Sequence, residues 1–414
     1  MKKRIFGFID DSAALAIELE TALTGIPAIS PDSGGEGELD KCLFLESWLR
    51  GQGIAQLERY DAPDKRAKGG VRPSLVATIP GRTDVSRTWI MSHIDVVPPG
   101  EASLWESDPW KVVQKDGGDG RGLRLIGRGV EDNQQGLVSS VVAALSLVKQ
   151  GIVPAHTVKL LFVADEENGS GYGIDWLLKN VPGLFRGDDM ILIPDGGDPR
   201  GETIEIAEKN LIWIRFSTAG VQAHGSRPDL GVNAHLAGAE LAVRLHGELS
   251  KKFSDHDPLF EPDYSTFQPT KKEANVPNIN TIPGDDVFCM DMRVLPRYPI
   301  QAVLAEVDRI KAEVEGKHGV KISYTLPQRQ ESKPTSPDAP LVKLLSKIVQ
   351  EVYHVETRPI GIGGGTVGAY LRNAGIDSVV WGRMDDTAHQ PNEYALLDNI
   401  LGDARVMALL MLRE

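Results

Sequence analysis

Short apolar runs bounded by turn residues recur along the chain and read as buried strands over 88–91, 158–164, 190–193 and 378–381. Leu137, Val141, Leu145 and Val148 recur at helical spacing, which predicts a helix after Gly136 packed on the sheet that those strands form. Strands alternating with helices define an α/β protein. The middle of the chain has another texture, with a strand over 211–218, a helix over 232–249, a strand over 287–293, a helix over 300–316 and a strand over 321–326. That order predicts a small α+β, ferredoxin-like unit inserted into the first domain. The polar, Pro-rich stretch 331–340 reads as the linker back, before a helix over 341–353. The expected organisation is a domain of residues 1–209 and 331–414, with a mixed, mostly parallel central sheet flanked by helices, interrupted by an inserted domain of residues 210–330.

Length and charge narrow the function without changing this picture. A chain of 414 residues exceeds one ordinary core, in keeping with two domains. With 45 Lys and Arg against 58 Asp and Glu the net charge is −13, which leaves no basic footprint for nucleic acid or an anionic membrane. No run of the ~18 apolar residues that a membrane span needs is present. The opening M-K-K-R-I-F-G-F-I-D-D begins like a signal peptide, but Asp10 and Asp11 cut its apolar run short, so the cytoplasm is the expected location. Cys42 lies in a helical pattern and Cys289 in a strand pattern, where each is expected to act as a small hydrophobe.

Candidate chemistry gathers at the ends of the predicted strands. His93 and Asp95 follow one strand in M-S-H-I-D-V-V-P, and Asp132 stands before a helix in G-R-G-V-E-D-N. Glu166 and Glu167 close another strand, Asp195 closes a third in I-L-I-P-D-G-G, and His389 lies in the loop D-D-T-A-H-Q-P-N-E. Open α/β sheets bind ligands beyond the carboxyl ends of their strands, so these loops are expected to converge. Each position has a plainer reading. A lone histidine after a strand is more often a hydrogen-bonding group, the role expected of His156, His235, His246, His256, His318 and His354, and paired glutamates are more often a solvated face. Repetition of the placement over five segments favours a site. Two histidines with three carboxylates, His93, Asp132, Glu167, Asp195 and His389, suit two zinc ions sharing one carboxylate. Magnesium alone would call for oxygen ligands; cobalt or manganese are possible substitutes.

In order along the chain, M-S-H-I-D-V-V-P, G-R-G-V-E-D-N-Q-Q-G, D-E-E-N-G-S-G-Y-G, P-D-G-G, A-H-G-S-R-P-D-L-G-V-N-A-H and D-D-T-A-H-Q-P-N-E resemble the signature of the di-zinc metallohydrolase family of aminoacylase, glutamate carboxypeptidase, succinyl-diaminopimelate desuccinylase and carnosinase. The likeness runs from about residue 85 to the C-terminus; the first 60 residues carry none of it. The resemblance implies that Asp132 bridges two zinc ions, that His93 and Asp195 complete one site, and that Glu167 and His389 complete the other. It implies that Asp95 orients His93, that Glu166 is the general base, and that the Asp132–Asn133 peptide is cis. His224, in A-H-G-S-R-P, resembles the histidine that reaches a neighbouring subunit's site and stabilises an oxyanion, which implies a homodimer formed through the inserted domain. Arg293 resembles an arginine that clamps a substrate carboxylate, and a salt bridge at a strand end is an equal reading of it. The loop of Gly363, Gly364 and Gly365 is placed to offer backbone N–H groups to the same carboxylate.

G-G-G-T-V-G, from Gly363 to Gly368, also matches the dinucleotide fingerprint, but Pro359 fits poorly in the buried central strand that such a loop should follow. No H-E-x-x-H, G-x-S-x-G or G-x-x-x-x-G-K-[ST] occurs. The sequence therefore points to a zinc-dependent hydrolase of a C–N amide bond in a small carboxylate-bearing substrate, an N-acyl amino acid such as an N-succinyl one, or a dipeptide. The rival readings are a non-catalytic metal-binding relative, which would lack Glu166 or a ligand, and a nucleotide-dependent oxidoreductase built on the Gly363 loop.

Overall fold

The computed structural model describes residues 1–118 and 120–414. Helices α1 (Lys2–Asp10), α2 (Ala13–Thr24) and α3 (Leu39–Gly51) precede strands β1 (Gln56–Pro63), β2 (Val71–Ile79), β3 (Thr83–His93), β4 (Val113–Asp116) and β5 (Leu123–Ile126). Then come α4 (Gly136–Val148), β6 (His156–Val163), α5 (Ile174–Asn180), β7 (Met190–Ile193) and β8 (Thr203–Glu208). The middle holds β9 (Asn210–Ala219), β10 (Ala223–His224), α6 (Ala234–Lys252), β11 (Thr266–Lys272), β12 (Thr281–Ile282), β13 (Asp285–Val294), α7 (Ile300–His318) and β14 (Lys321–Gln330). The chain continues through α8 (Pro340–Tyr353), β15 (Arg358–Ile362), α9 (Gly368–Asn373), β16 (Ser378–Val380), β17 (Tyr394–Leu396) and α10 (Leu397–Met411). Two compact units result, one of Met1–Ile206, Thr335–Ile360 and Tyr370–Glu414, the other of Ala207–Pro334 and Gly361–Ala369. The segment Gly361–Ala369 groups with the inserted unit, whereas the sequence pattern left it with the returning chain.

An eight-stranded sheet of order β1-β2-β6-β3-β7-β16-β8-β15 organises the first unit. Its central strands β6, β3, β7 and β16 are parallel, while β1, β2 and β8 pair antiparallel towards the edges, so the mostly parallel character belongs to the middle. Parallel strands must be covered on both faces, and β3 is accordingly buried from Arg87 to His93 and β6 throughout save His156 and Lys159. Helix α4 is buried along almost its whole length, as expected of a helix apolar all round, and packs against α10, α1 and α2 as well as the sheet. Its serines do not interrupt it, because Ser139 and Ser140 donate back to the carbonyls of Gln135 and Leu137. Pro359 falls in β15, at the edge of the sheet, where a missing N–H is tolerated.

The second unit is an antiparallel sheet of order β11-β13-β9-β14 with α6 and α7 packed on it. Each helix links two parallel strands that flank an antiparallel one, which is the split βαβ arrangement of a ferredoxin-like fold. Burial alternates along β9 and β13, turning Ile212, Ile214 and Phe216 with Phe288, Met290 and Met292 onto Leu241, Leu245, Val307 and Ile310. Phe216 and Phe288 stack with centroids 4.9 Å apart.

Candidate metal centre

The four parallel strands end on one side of the sheet, and each delivers chemistry there. β3 ends at His93, β6 leads through Ala164 and Asp165 into Glu166 and Glu167, β7 leads through Pro194 into Asp195, and β16 leads towards the loop of His389. Asp132 arrives separately, between β5 and α4. Antiparallel pairing of β5 with β17 lays the loop after β5 beside the loop before β17, which brings Asp132 to His389. Asn133 fastens this loop to the sheet: its Oδ1 accepts the backbone N–H of His93 at 3.2 Å and its Nδ2 donates to the Pro194 carbonyl. Gly136 then lies so close to Pro194 that a Cβ would stand 2.3 Å from its carbonyl oxygen, so only glycine lets α4 start there. The Asp132–Asn133 peptide is cis.

Asp132 stands between two imidazoles. Its Oδ1 is 2.8 Å from His93 Nε2 and its Oδ2 is 3.1 Å from His389 Nε2. Asp195 lies on the His93 side, 3.5 Å from Nε2, and Glu167 on the His389 side at 3.0 Å. Donor atoms of His93, Glu166 and Asp195, and again of His93, Asp132 and Glu167, lie within 4.8 Å of one another, close enough to share a cation. Glu166 thus sits among potential ligands as well as beside them, and His389, at a left-handed backbone φ of 63°, reaches the group from a more exposed loop.

The other ring nitrogen of His93 meets the backbone carbonyl of Asp95 at 2.9 Å, with the Asp95 carboxylate farther off at 3.5 Å. That carboxylate is engaged elsewhere, its two oxygens accepting the backbone N–H groups of Glu166 and Glu167, each at 3.1 Å. Asp95 therefore orients His93 through its main chain and fixes the Glu166–Glu167 turn through its side chain.

Electrostatics agree with a cation site. Burial raises Glu166 well above the usual carboxylate range, with Asp195, Glu167 and Asp132 adding to the rise, and burial likewise raises Glu167 and Asp195. Burial opposes ionisation of Asp132 too, yet hydrogen bonds from His389 and His93 hold it below its ordinary value. Hydrogen bonds to Asp132 and Glu167 push His389 up to about 10. Four carboxylates converging out of water repel one another, and divalent cations relieve that repulsion; imidazole beside carboxylate is the donor set zinc takes.

The remaining sequence candidates belong to the second unit. Arg293 makes a two-pronged contact with Asp291 at 2.8 and 2.9 Å and donates to the Gly363 carbonyl at 2.7 Å, so the salt bridge and the glycine loop share this guanidinium. Gly364 and Gly365 continue that loop, which Thr366 ties to the buried Glu208. His224 is exposed on β10, its Nδ1 2.8 Å from the Ser226 hydroxyl.

Sequence reasoning missed the groups that hold the Asp132 and His389 loops together. Buried Glu393 accepts backbone N–H groups of Gly129, Glu131 and Asp132 at 2.9–3.0 Å and pairs with buried Arg128 at 2.5 Å. Buried Glu131 in return accepts the N–H of Asp385 at 2.8 Å and both the N–H and hydroxyl of Thr387. Both glutamates lie inside the motifs quoted above, but nothing in a motif separates a carboxylate that binds backbone from one that faces a ligand.

Comparison with known proteins places this geometry. The model of peptidase family M20/M25/M40 matches residues 89–413. A metallohydrolase of Methanococcus maripaludis, itself described as uncharacterized, is 37% identical over 94% of this chain and 97% of its own. A succinyl-diaminopimelate desuccinylase of Nitratiruptor sp. is 25% identical over 91% of this chain and 93% of its own. The fold is also that of the dipeptidase Dug1p from Saccharomyces cerevisiae, with a TM-score of 0.74 and 17% identity over 100% of this chain and 98% of that one. A site built from strand-end histidines and carboxylates, carried on this fold and matched over most of its length, shows that the chain is a metallohydrolase belonging to peptidase family M20/M25/M40.

Proposed function

We propose that this enzyme hydrolyses a C–N amide bond in a small substrate with a free carboxylate, an N-acyl amino acid such as an N-succinyl one, or a dipeptide. The observation that carries the reading is the position of Asp132, with one oxygen on His93 and the other on His389. That disposition supports His93, Asp132 and Asp195 holding one zinc ion and His389, Asp132 and Glu167 holding a second. When bound, such a pair supplies Lewis acidity for the scissile carbonyl and for water. The Glu166 carboxylate, made a stronger base by burial, takes a proton from the attacking water and returns it to the departing amine nitrogen. Asp95 holds the Glu166 backbone so that ligand and base diverge from adjacent positions. Arg293, released from Asp291, and the N–H groups of the Gly363–Gly365 loop receive the substrate carboxylate. His224 serves as the oxyanion donor, supplied by a partner subunit in a homodimer formed through the second unit.

The desuccinylase relatives, similar along nine-tenths of the chain, favour an acyl over an aminoacyl substrate. A panel of N-succinyl, N-acetyl and dipeptide substrates with added zinc, cobalt or manganese tests the proposal. Cleavage of one class with about two ions per chain by elemental analysis is the expected result. Folded protein carrying both ions and inert on every amide, or active protein without transition metal, would overturn it.

A further inference from the structure

The family match begins at residue 89, yet charged side chains from before it are buried behind the metal centre. Arg72, on β2, is fully buried. It grips Glu38 with two nitrogens, Nε at 2.6 Å and Nη2 closer still, and the same Nη2 lies 3.1 Å from Asp165 Oδ1 as an ion pair out of line for a hydrogen bond. Glu38 occupies the N-cap of α3 but makes no side-chain cap there; its carboxylate is turned to Arg72 instead. Asp165 immediately precedes Glu166 and Glu167 and holds a left-handed φ of 62°. Its carboxylate accepts the backbone N–H of Tyr172 at 2.9 Å and its carbonyl that of Ser170 at 2.6 Å, closing the turn that presents both glutamates. The Tyr172 ring in turn lies under the Arg72 guanidinium, 5.6 Å from centroid to Cζ. Lys41, buried on α3, stands near the same acids; burial lowers it to about 8 against the opposing pull of Asp95, Glu20, Glu38 and Glu393.

We infer that Arg72 and Glu38 are positioning residues for the reaction: they lock Asp165, and through it set the direction of Glu166 and Glu167. The Asp95 carboxylate fastens that turn from the front by accepting the backbone N–H groups of Glu166 and Glu167, and Arg72 fastens it from behind through the side chain of Asp165. Stability alone does not account for the cluster, because apolar side chains of similar volume commonly replace a buried ion pair without loss. Residues that support a metal ligand typically govern affinity or rate about tenfold to a hundredfold. The inference rests on the proposed roles of Glu166 as base and Glu167 as ligand.

The test compares the parent protein with Arg72→Lys and with the charge-free double variant Arg72→Met, Glu38→Leu. Each is followed by circular dichroism, zinc titration and steady-state kinetics on the best substrate of the panel above. Folded double variant is expected to lose at least about tenfold in kcat with KM changed less than about threefold, and to bind one of two zinc ions at least about tenfold more weakly. Arg72→Lys, which keeps the charge without the fork, is expected to lie between. A double variant that folds and keeps parental kcat and both zinc affinities would overturn the inference. If the double variant fails to fold, Arg72→Lys with parental kcat and both zinc affinities overturns it instead. Should the parent itself cleave nothing, the proposed function fails, and zinc affinity alone decides this inference.

Discussion

The buried carboxylate of Glu393 accepts the backbone N–H of Asp132 at 3.0 Å, joining two loops that lie at opposite ends of the family match. One Glu393 oxygen holds Glu131 and Asp132 while the other holds Gly129 and Arg128, so a single side chain sets the loop from which Asp132 faces both histidines. Glu393→Ala leaves buried Arg128 without its carboxylate, with only the carbonyls of His389 and Gln390 to receive it, which costs about 3–5 kcal/mol. Urea unfolding of the zinc-free protein measures the loss, and zinc titration is expected to show affinity lower by about tenfold or more. A variant as stable as the parent, with unchanged affinity, would show that the loops are held by other means.

Glu166→Ala tests whether the proposed base is separable from the proposed ligands. Asp132, His93, Asp195, Glu167 and His389 all remain, so zinc content by elemental analysis is expected to stay near the parental value while kcat drops about 10²–10⁴-fold. Because Glu166 also falls within 4.8 Å of His93 and Asp195, the opposite outcome is informative: loss of one ion along with activity would make it a ligand.

Strand ends were legible because a buried parallel strand is an uninterrupted apolar run, and a charged residue just past it has few places to go except the ligand face. That logic singled out His93, Glu166, Glu167 and Asp195 through repetition of the placement rather than from any one segment, and the structure brings donor atoms of His93, Glu166 and Asp195, and of His93, Asp132 and Glu167, within 4.8 Å of one another. It also anticipated the inserted unit, whose α6 and α7 announce themselves by period and length. The supports were illegible for a physical reason. Glu393 binds backbone N–H groups, which every residue has, so no complementary residue type marks its partners, and Arg72 meets Asp165 only after β2 has packed beside β6. Asp95 shows the intermediate case: spacing tied it to His93, but its side chain serves Glu166 and Glu167 instead.

Metal removal should make stability strongly pH-dependent. In the zinc-free protein His389 is raised to about 10 against an unfolded value of about 6.5, so its stabilising charge is fully present below about pH 6.5 and is lost as pH rises through about 10. Glu166, Glu167 and Asp195, also raised, hold protons more tightly folded than unfolded, so they too favour the folded state less as pH climbs. Zinc requires these ligands deprotonated, and its binding tightens over the same interval. Scanning calorimetry is expected to show Tm of chelator-treated protein falling from about pH 6.5 to about pH 9 while the gap to the zinc-loaded protein widens. Parallel profiles with and without zinc would contradict the ligand assignment.

His224 offers the sharpest test of assembly. Its exposed ring stands on a short strand of the second unit and is held by Ser226, placement suited to a group that must reach another chain. His224→Ala is expected to lower kcat by about 10²-fold or more, the cost of losing one oxyanion donor, with zinc content unchanged. Glu166→Ala fails for a different reason and in a different unit. If His224 acts across a two-fold dimer, co-refolding the two variants re-forms mixed dimers, each with one complete site, and restores about a quarter of parental activity. Two inert variants that stay inert when co-refolded into verified mixed dimers would place His224 in its own subunit's site.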